Sequence, residues 1–195
     1  MRRFVISATL CCVVLGLVVG RLSDGTTAFA SYDLHLDATS EVNLLTPVTL
    51  CERNEQVVFS CVMQKSAKLL SICTSRQFDR QNGYVQYRLG QLGRIQLEFP
   101  SERSDTQSAF SYDRYTRPLV TFLSLRFESN GFKYSIHQDS NAEEKPPVNS
   151  SYVNVTAPDE NAKPIEMICR QPVVGSLMLL EDAVPGGVGD DVLNP

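Results

Sequence analysis

Histidine is nearly absent from this chain, with two in 195 residues, and so is any motif that would give one a catalytic task. No Gly-x-Ser-x-Gly elbow is present to hold a serine against His35 or His137. No Cys-x-x-Cys pair exists to set up tetrahedral zinc ligands. Basic residues do not outnumber acidic ones (18 against 22), which argues against nucleic acid, whose phosphates demand clustered Lys and Arg. The adjacent carboxylates Glu143-Glu144 and Asp190-Asp191 sit in polar, loop-like stretches and do not converge across a cleft as acid–base pairs must. After Ala30 no segment keeps a 3.6-residue apolar period over three turns, and no internal repeat is evident. These absences exclude helical folds and point away from enzymes, metal sites and cofactors.

The one long apolar run is at the start. Arg2 and Arg3 precede Phe4 to Val19, a stretch broken only by Ser7, Thr9 and Gly16. Ala28-Phe29-Ala30 supplies small residues for a signal peptidase, so residues 1–30 read as a secretory signal peptide, with cleavage after Gly20 as the alternative. The run falls short of the ~20 apolar residues of a membrane span. Cys11 and Cys12 lie inside it, too early for a lipidation site. Cleavage at Ala30 removes three basic residues and one acidic residue, leaving a net charge of about −6. A periplasmic or secreted location is expected.

Cys51, Cys61, Cys73 and Cys169 remain, an even number in an oxidising compartment, and read as two disulfides. Three connectivities are open. With the hairpin turn centred between Lys65 and Ser66, Cys61 faces Leu70 and Cys73 faces Val58. The two cysteines then lie ~10 Å apart, beyond disulfide reach without a bulge. That register favours Cys51–Cys73 with Cys61–Cys169.

Residues 31–50 read as a flexible leader, 51–174 as a β domain and 175–195 as a partly disordered tail in which Leu177 to Leu180 forms an edge segment. Strand-like runs cover Val57 to Met63, Lys68 to Cys73, Gly83 to Leu89 and Arg94 to Phe99. Ser101 to Arg117 reads as a charged loop whose Phe110, Tyr112 and Tyr115 cap one end of the domain. Leu119 to Glu128 and Phe132 to Gln138 flank Asn130-Gly131, the strongest hairpin signal in the chain. His137, near the end of that second run, reads as a rim residue. Asn141 to Asn149 is an expected loop, followed by strands at Tyr152 to Thr156 and Ile165 to Arg170. About eight short strands predict an all-β fold, a small antiparallel barrel or sandwich stapled by two disulfides. Arg88 and Arg94 flank the Gly90–Gly93 turn as exposed arginines. Asn149-Ser150-Ser151 and Asn154-Val155-Thr156 are sequons, relevant in a eukaryotic secretory pathway.

The run Val58-Phe59-Ser60-Cys61, with Ser71-Ile72-Cys73, Tyr84 to Gly90, Glu98-Phe99-Pro100 and Arg126 to Tyr134, resembles a group of uncharacterised bacterial secreted β-proteins. The resemblance spans Cys51 to Cys169 and implies no particular activity. A fainter similarity is to the periplasmic C-type lysozyme inhibitors, small disulfide-containing β-barrels. Ser129-Asn130-Gly131 is the nearest match to the loop those inhibitors insert into the lysozyme cleft, and their Tyr/Thr/Lys motif has no counterpart here. The expected function is non-enzymatic binding of an extracytoplasmic protein or envelope component, a hydrolase such as lysozyme being one example. The alternative is a structural envelope-associated module. Ser129, Asn130 and Gly131, with Lys133 and Tyr134 beside them, are the candidate partner-binding residues.

Overall fold

A computed structural model describes residues 48–104, 106–159 and 161–186. The chain divides into residues 1–43 and 44–195, and every described residue belongs to the second unit. The signal peptide, its cleavage sites, Cys11, Cys12, His35, Asp105, Asp190-Asp191 and residues 31–47 and 187–195 of the leader and tail lie outside the described residues.

Alternating apolar and polar residues build nine strands: β1 (Glu55–Met63), β2 (Leu69–Ser75), β3 (Val85–Gln91), β4 (Arg94–Phe99), β5 (Ser111–Arg117), β6 (Val120–Ser129), β7 (Phe132–Asn141), β8 (Val148–Thr156) and β9 (Ile165–Gly175). Among the described residues there is no α-helix, only 3₁₀ turns at Thr106–Ala109 and Leu177–Leu180. All nine strands form one antiparallel sheet in the order β4-β3-β2-β1-β9-β8-β7-β6-β5, curled into a half-barrel. β1 to β4 meander outwards to one edge. Residues 100–110 then carry the chain to the opposite edge, and β5 to β9 meander back to pair with β1.

β9 is the junction of the two halves. Its first residues pair with β8 (Tyr152 with Ile168) and its later ones with β1 (Met63 with Cys169, Phe59 with Gly175). Gly175 has φ +77°, and a Cβ there would lie 2.1 Å from the Val58 carbonyl oxygen, so only glycine admits this close approach. Curling brings the apolar faces together. Phe99 of β4 stacks on Phe127 of β6 with centroids 4.5 Å apart, and Tyr87 of β3 lies 4.9 Å from the same ring. Leu177 and Leu180 are fully buried against this core, so Leu177–Leu180 is a packed 3₁₀ turn and not an edge segment.

Both disulfides take the connectivity that the hairpin register favours, Cys51–Cys73 and Cys61–Cys169. Cys61 faces Leu70 as expected, whereas Cys73 faces Val57, because a bulge at Val58 adds a residue to β1.

Three expectations are corrected. Ser101 to Arg117 is not a loop throughout: its second half is edge strand β5, anchored by Tyr112 in the core. Asn141 to Asn149 overlaps two strands, since β7 runs to Asn141 and β8 starts at Val148. Arg88 is not exposed but completely buried. Residues 48–53 fold across the outer face of β1–β3 and cover it. Ser60 Oγ donates to the Val48 carbonyl (3.0 Å), and the Leu50 amide donates to Ser71 Oγ (2.9 Å). The last residues of the expected leader are thus docked. Under this strap the Arg88 guanidinium spends all five donors: two on Glu55 (2.5 and 2.8 Å) and one each on Leu50 O, Gln86 and Glu98.

Candidate functional site

The outer face of β5–β9 has no such strap among the described residues. Leu123, Leu125 and Phe127 point into the core, so Ser124, Arg126 and Glu128 point away from it, and register carries this face across the neighbouring strands. One cross-strand row is Ser111–Arg126–Ser135–Asn154–Glu166. The next is Asp113–Ser124–His137–Tyr152–Ile168. Glu128, Lys133 and Thr156 form a shorter third row beside the β6–β7 turn. The first and third rows, with His137 and Tyr152 of the second, line a groove of about 850 Å³ that Ser108 and Pro164 also border. A smaller recess of about 230 Å³ lies further along the face, between Phe122, Asp139 and Ser150.

The middle of this face is tightly arranged. The His137 and Tyr152 rings stack with centroids 4.6 Å apart and planes 9° from parallel. Ser135 Oγ lies 2.8 Å from His137 Nε2. The Tyr152 hydroxyl donates to the Asp139 carboxylate. Burial raises the Asp139 pKa to about 6, with the tyrosine hydrogen bond opposing the shift. Burial first, then the Asp139 charge, pushes the Tyr152 hydroxyl far above its usual range. Arg126 is ion-paired with Asp113. His137 is therefore mid-strand on an ordered polar face, and the expectation of a rim position is corrected.

The expected binding residues divide between two faces. Asn130 (φ 52°) and Gly131 (φ 78°) form the tight turn that their dipeptide predicts, packed beside Pro158. Ser129 closes the strand pair opposite Phe132, and Lys133 lines the groove. Tyr134 alternates to the other side of β7, its ring stacked on Phe127 at 4.6 Å and packed against the core, and still borders the groove. Sequence reasoning missed Ser135, Asp139, Tyr152 and Asn154. The signal was the i, i+2, i+4 spacing of Ser135, His137 and Asp139, which places all three on one strand face.

Cys51, Cys73 and Glu55 bring three ligand-type atoms within 4.8 Å of one another. The two sulfurs are joined to each other and the carboxylate is held by Arg88, so the cluster has no ligand to spare for a metal. Among the described residues no helix is long and apolar enough to cross a membrane. No family model, curated protein or solved structure matches the chain.

Proposed function

We propose that the chain is a secreted or periplasmic, non-enzymatic binding protein that receives an extracytoplasmic partner on the outer face of β5–β9, beside the Ser129-Asn130-Gly131 turn. The observation that carries this reading is the ordered network in which Ser135, His137 and Tyr152 line an open groove while Asp139, in the adjoining recess, accepts from the Tyr152 hydroxyl. A half-buried carboxylate with a raised pKa costs stability at neutral pH, and such costs are concentrated at functional sites. Two disulfides suit an oxidising compartment, and the N-terminal apolar run supplies the export signal. A binding role fits better than catalysis even though Ser135 meets His137. Ser135 stands mid-strand with Arg126 on one side and Asn154 on the other, so the surrounding amides are engaged in the sheet and offer no oxyanion hole. The similarity to lysozyme inhibitors makes a secreted hydrolase one candidate partner, and the negative charge of the mature chain would steer it towards a basic one.

The test is capture of extracytoplasmic proteins and envelope fragments on immobilised mature protein, alongside a direct lysozyme-inhibition assay. A partner held by the wild type and weakened at least tenfold, about 1.4 kcal/mol, by Ser129→Ala/Lys133→Ala supports the reading. Equal retention by wild type and variant would leave the Asn130-Gly131 turn as scaffolding alone, and no retained partner would favour the structural envelope module.

A further inference from the structure

The groove's chemistry is specific enough to name the class of ligand it fits, given the proposed binding role on which this step rests. Its cations are compensated: Arg126 is ion-paired with Asp113, and Lys133 stands directly opposite Glu128, while Glu166 adds one further carboxylate at the β9 end. A phosphate- or sulfate-rich ligand would find no unopposed cationic cluster, and a polybasic peptide no acidic one. What remains is a row of neutral hydrogen-bonding groups, Ser111, Ser135 and Asn154, one on each of β5, β7 and β8, with Thr156 beside them. Hydroxyls and carboxamides both donate and accept, and from β5 to β8 these groups span three strand intervals, about 14 Å. An apolar segment laid over this row would leave buried polar groups unpaired, at a cost of about 1–3 kcal/mol each.

Among these groups Tyr152 stands as an aromatic wall, and Phe110, Phe127 and Tyr134 also border the groove. The Tyr152 ring is fixed on one face by His137 and at its hydroxyl by Asp139, so it loses little freedom when a ligand docks. A ring that is apolar across its face and polar at its tip suits a ligand carrying C–H groups and hydroxyls together. The volume of about 850 Å³ lies within the ~300–1,000 Å³ of small-molecule sites.

We propose that the groove lined by Ser135, Tyr152 and Asn154 binds an uncharged oligosaccharide chain. The ligand lies across the strands, its hydroxyls exchange hydrogen bonds with the serine, asparagine and threonine side chains, and one sugar ring rests against Tyr152.

The test is a titration of isotope-labelled mature protein, followed by nuclear magnetic resonance, with tetramers of glucose, galactose, mannose and N-acetylglucosamine, and with sulfated counterparts of each. The expected result is saturable movement of the His137, Tyr152 and Asn154 resonances by at least one neutral tetramer. Sulfation should bring no gain in affinity. Tyr152→Ala and Asn154→Ala should each weaken binding at least tenfold, with spectral dispersion reporting that both variants remain folded. Tyr152→Phe, which keeps the ring, should lose less than Tyr152→Ala. Three results would overturn the inference: no response to any neutral tetramer, tighter binding of the sulfated series, or movement confined to other faces. If a protein partner is captured through this same face while every tetramer fails, the binding role stands and the saccharide assignment falls. If neither binds there, both fall.

Discussion

At the scale of single residues, two buried or half-buried charges do opposite things to stability. Glu55 is pushed up by burial, yet the hydrogen bonds from Arg88, the Glu52 amide and Tyr84 together hold its pKa below the ordinary 4.5. A carboxyl depressed in the folded state contributes stability above its unfolded pKa and loses it as pH falls through the folded value. Arg88 is the reason this works, and removing it strands the carboxylate under the strap. Arg88→Ala should therefore cost about 3–5 kcal/mol, read as a fall in the urea midpoint. A loss below about 1 kcal/mol would mean that Glu55 finds water or another donor.

Asp139 runs the other way. With a folded pKa of about 6 against an ordinary 3.8, the native state holds the extra proton between those values. Its contribution to stability is greatest below pH ~4 and declines as pH rises through about 6. Asp139→Asn should thus be more stable than wild type at pH 7.5, with the difference closing by pH ~4, in urea titrations at both pH values. A destabilised variant at pH 7.5 would show that the charged carboxylate is a net structural asset.

At the scale of elements, the β1–β9 pairing is where the two halves of the sheet meet, and Cys61–Cys169 ties it across a sequence separation of 108. Closing so long a loop restricts the unfolded chain strongly, so Cys61→Ala/Cys169→Ala should cost about 2–5 kcal/mol by denaturant unfolding. How much of this architecture was legible depended on which side of each strand had to be apolar. The β6–β7 hairpin was readable because Leu123, Leu125 and Phe127 alternate up to an Asn-Gly turn. β5 was not, because an edge strand needs few anchors, and Tyr112 is its one deeply buried side chain. Arg88 was misjudged for a related reason. Period-two patterning separates two faces but does not say what covers the second, and the strap at 48–53 is itself unpatterned. Most of the candidate site was illegible. His137 meets Tyr152 only through a long-range register, and the start of β8 was hidden in a polar stretch read as a loop.

At the scale of the whole molecule, the outward surface of one curled sheet is finished differently on its two halves. The β1–β3 half is sealed by its own N-terminal strap and a saturated arginine. The β5–β9 half keeps a groove whose polar groups are ordered. The four paired cysteines of the domain require that thiol titration under denaturing, non-reducing conditions of mature protein from an oxidising compartment give about zero. Two or more reactive thiols would break the stapled architecture.

The central claim is that the β5–β9 face is the working surface. It is tested most directly by the hydrogen-exchange footprint of whichever partner or ligand the mature protein captures. The account predicts slowed exchange along β7 and β8, around Lys133, Ser135, His137, Tyr152 and Asn154, with the β3–β4 hairpin unchanged. Protection confined to β3–β4, with β7 and β8 exchanging as in the free protein, would contradict it.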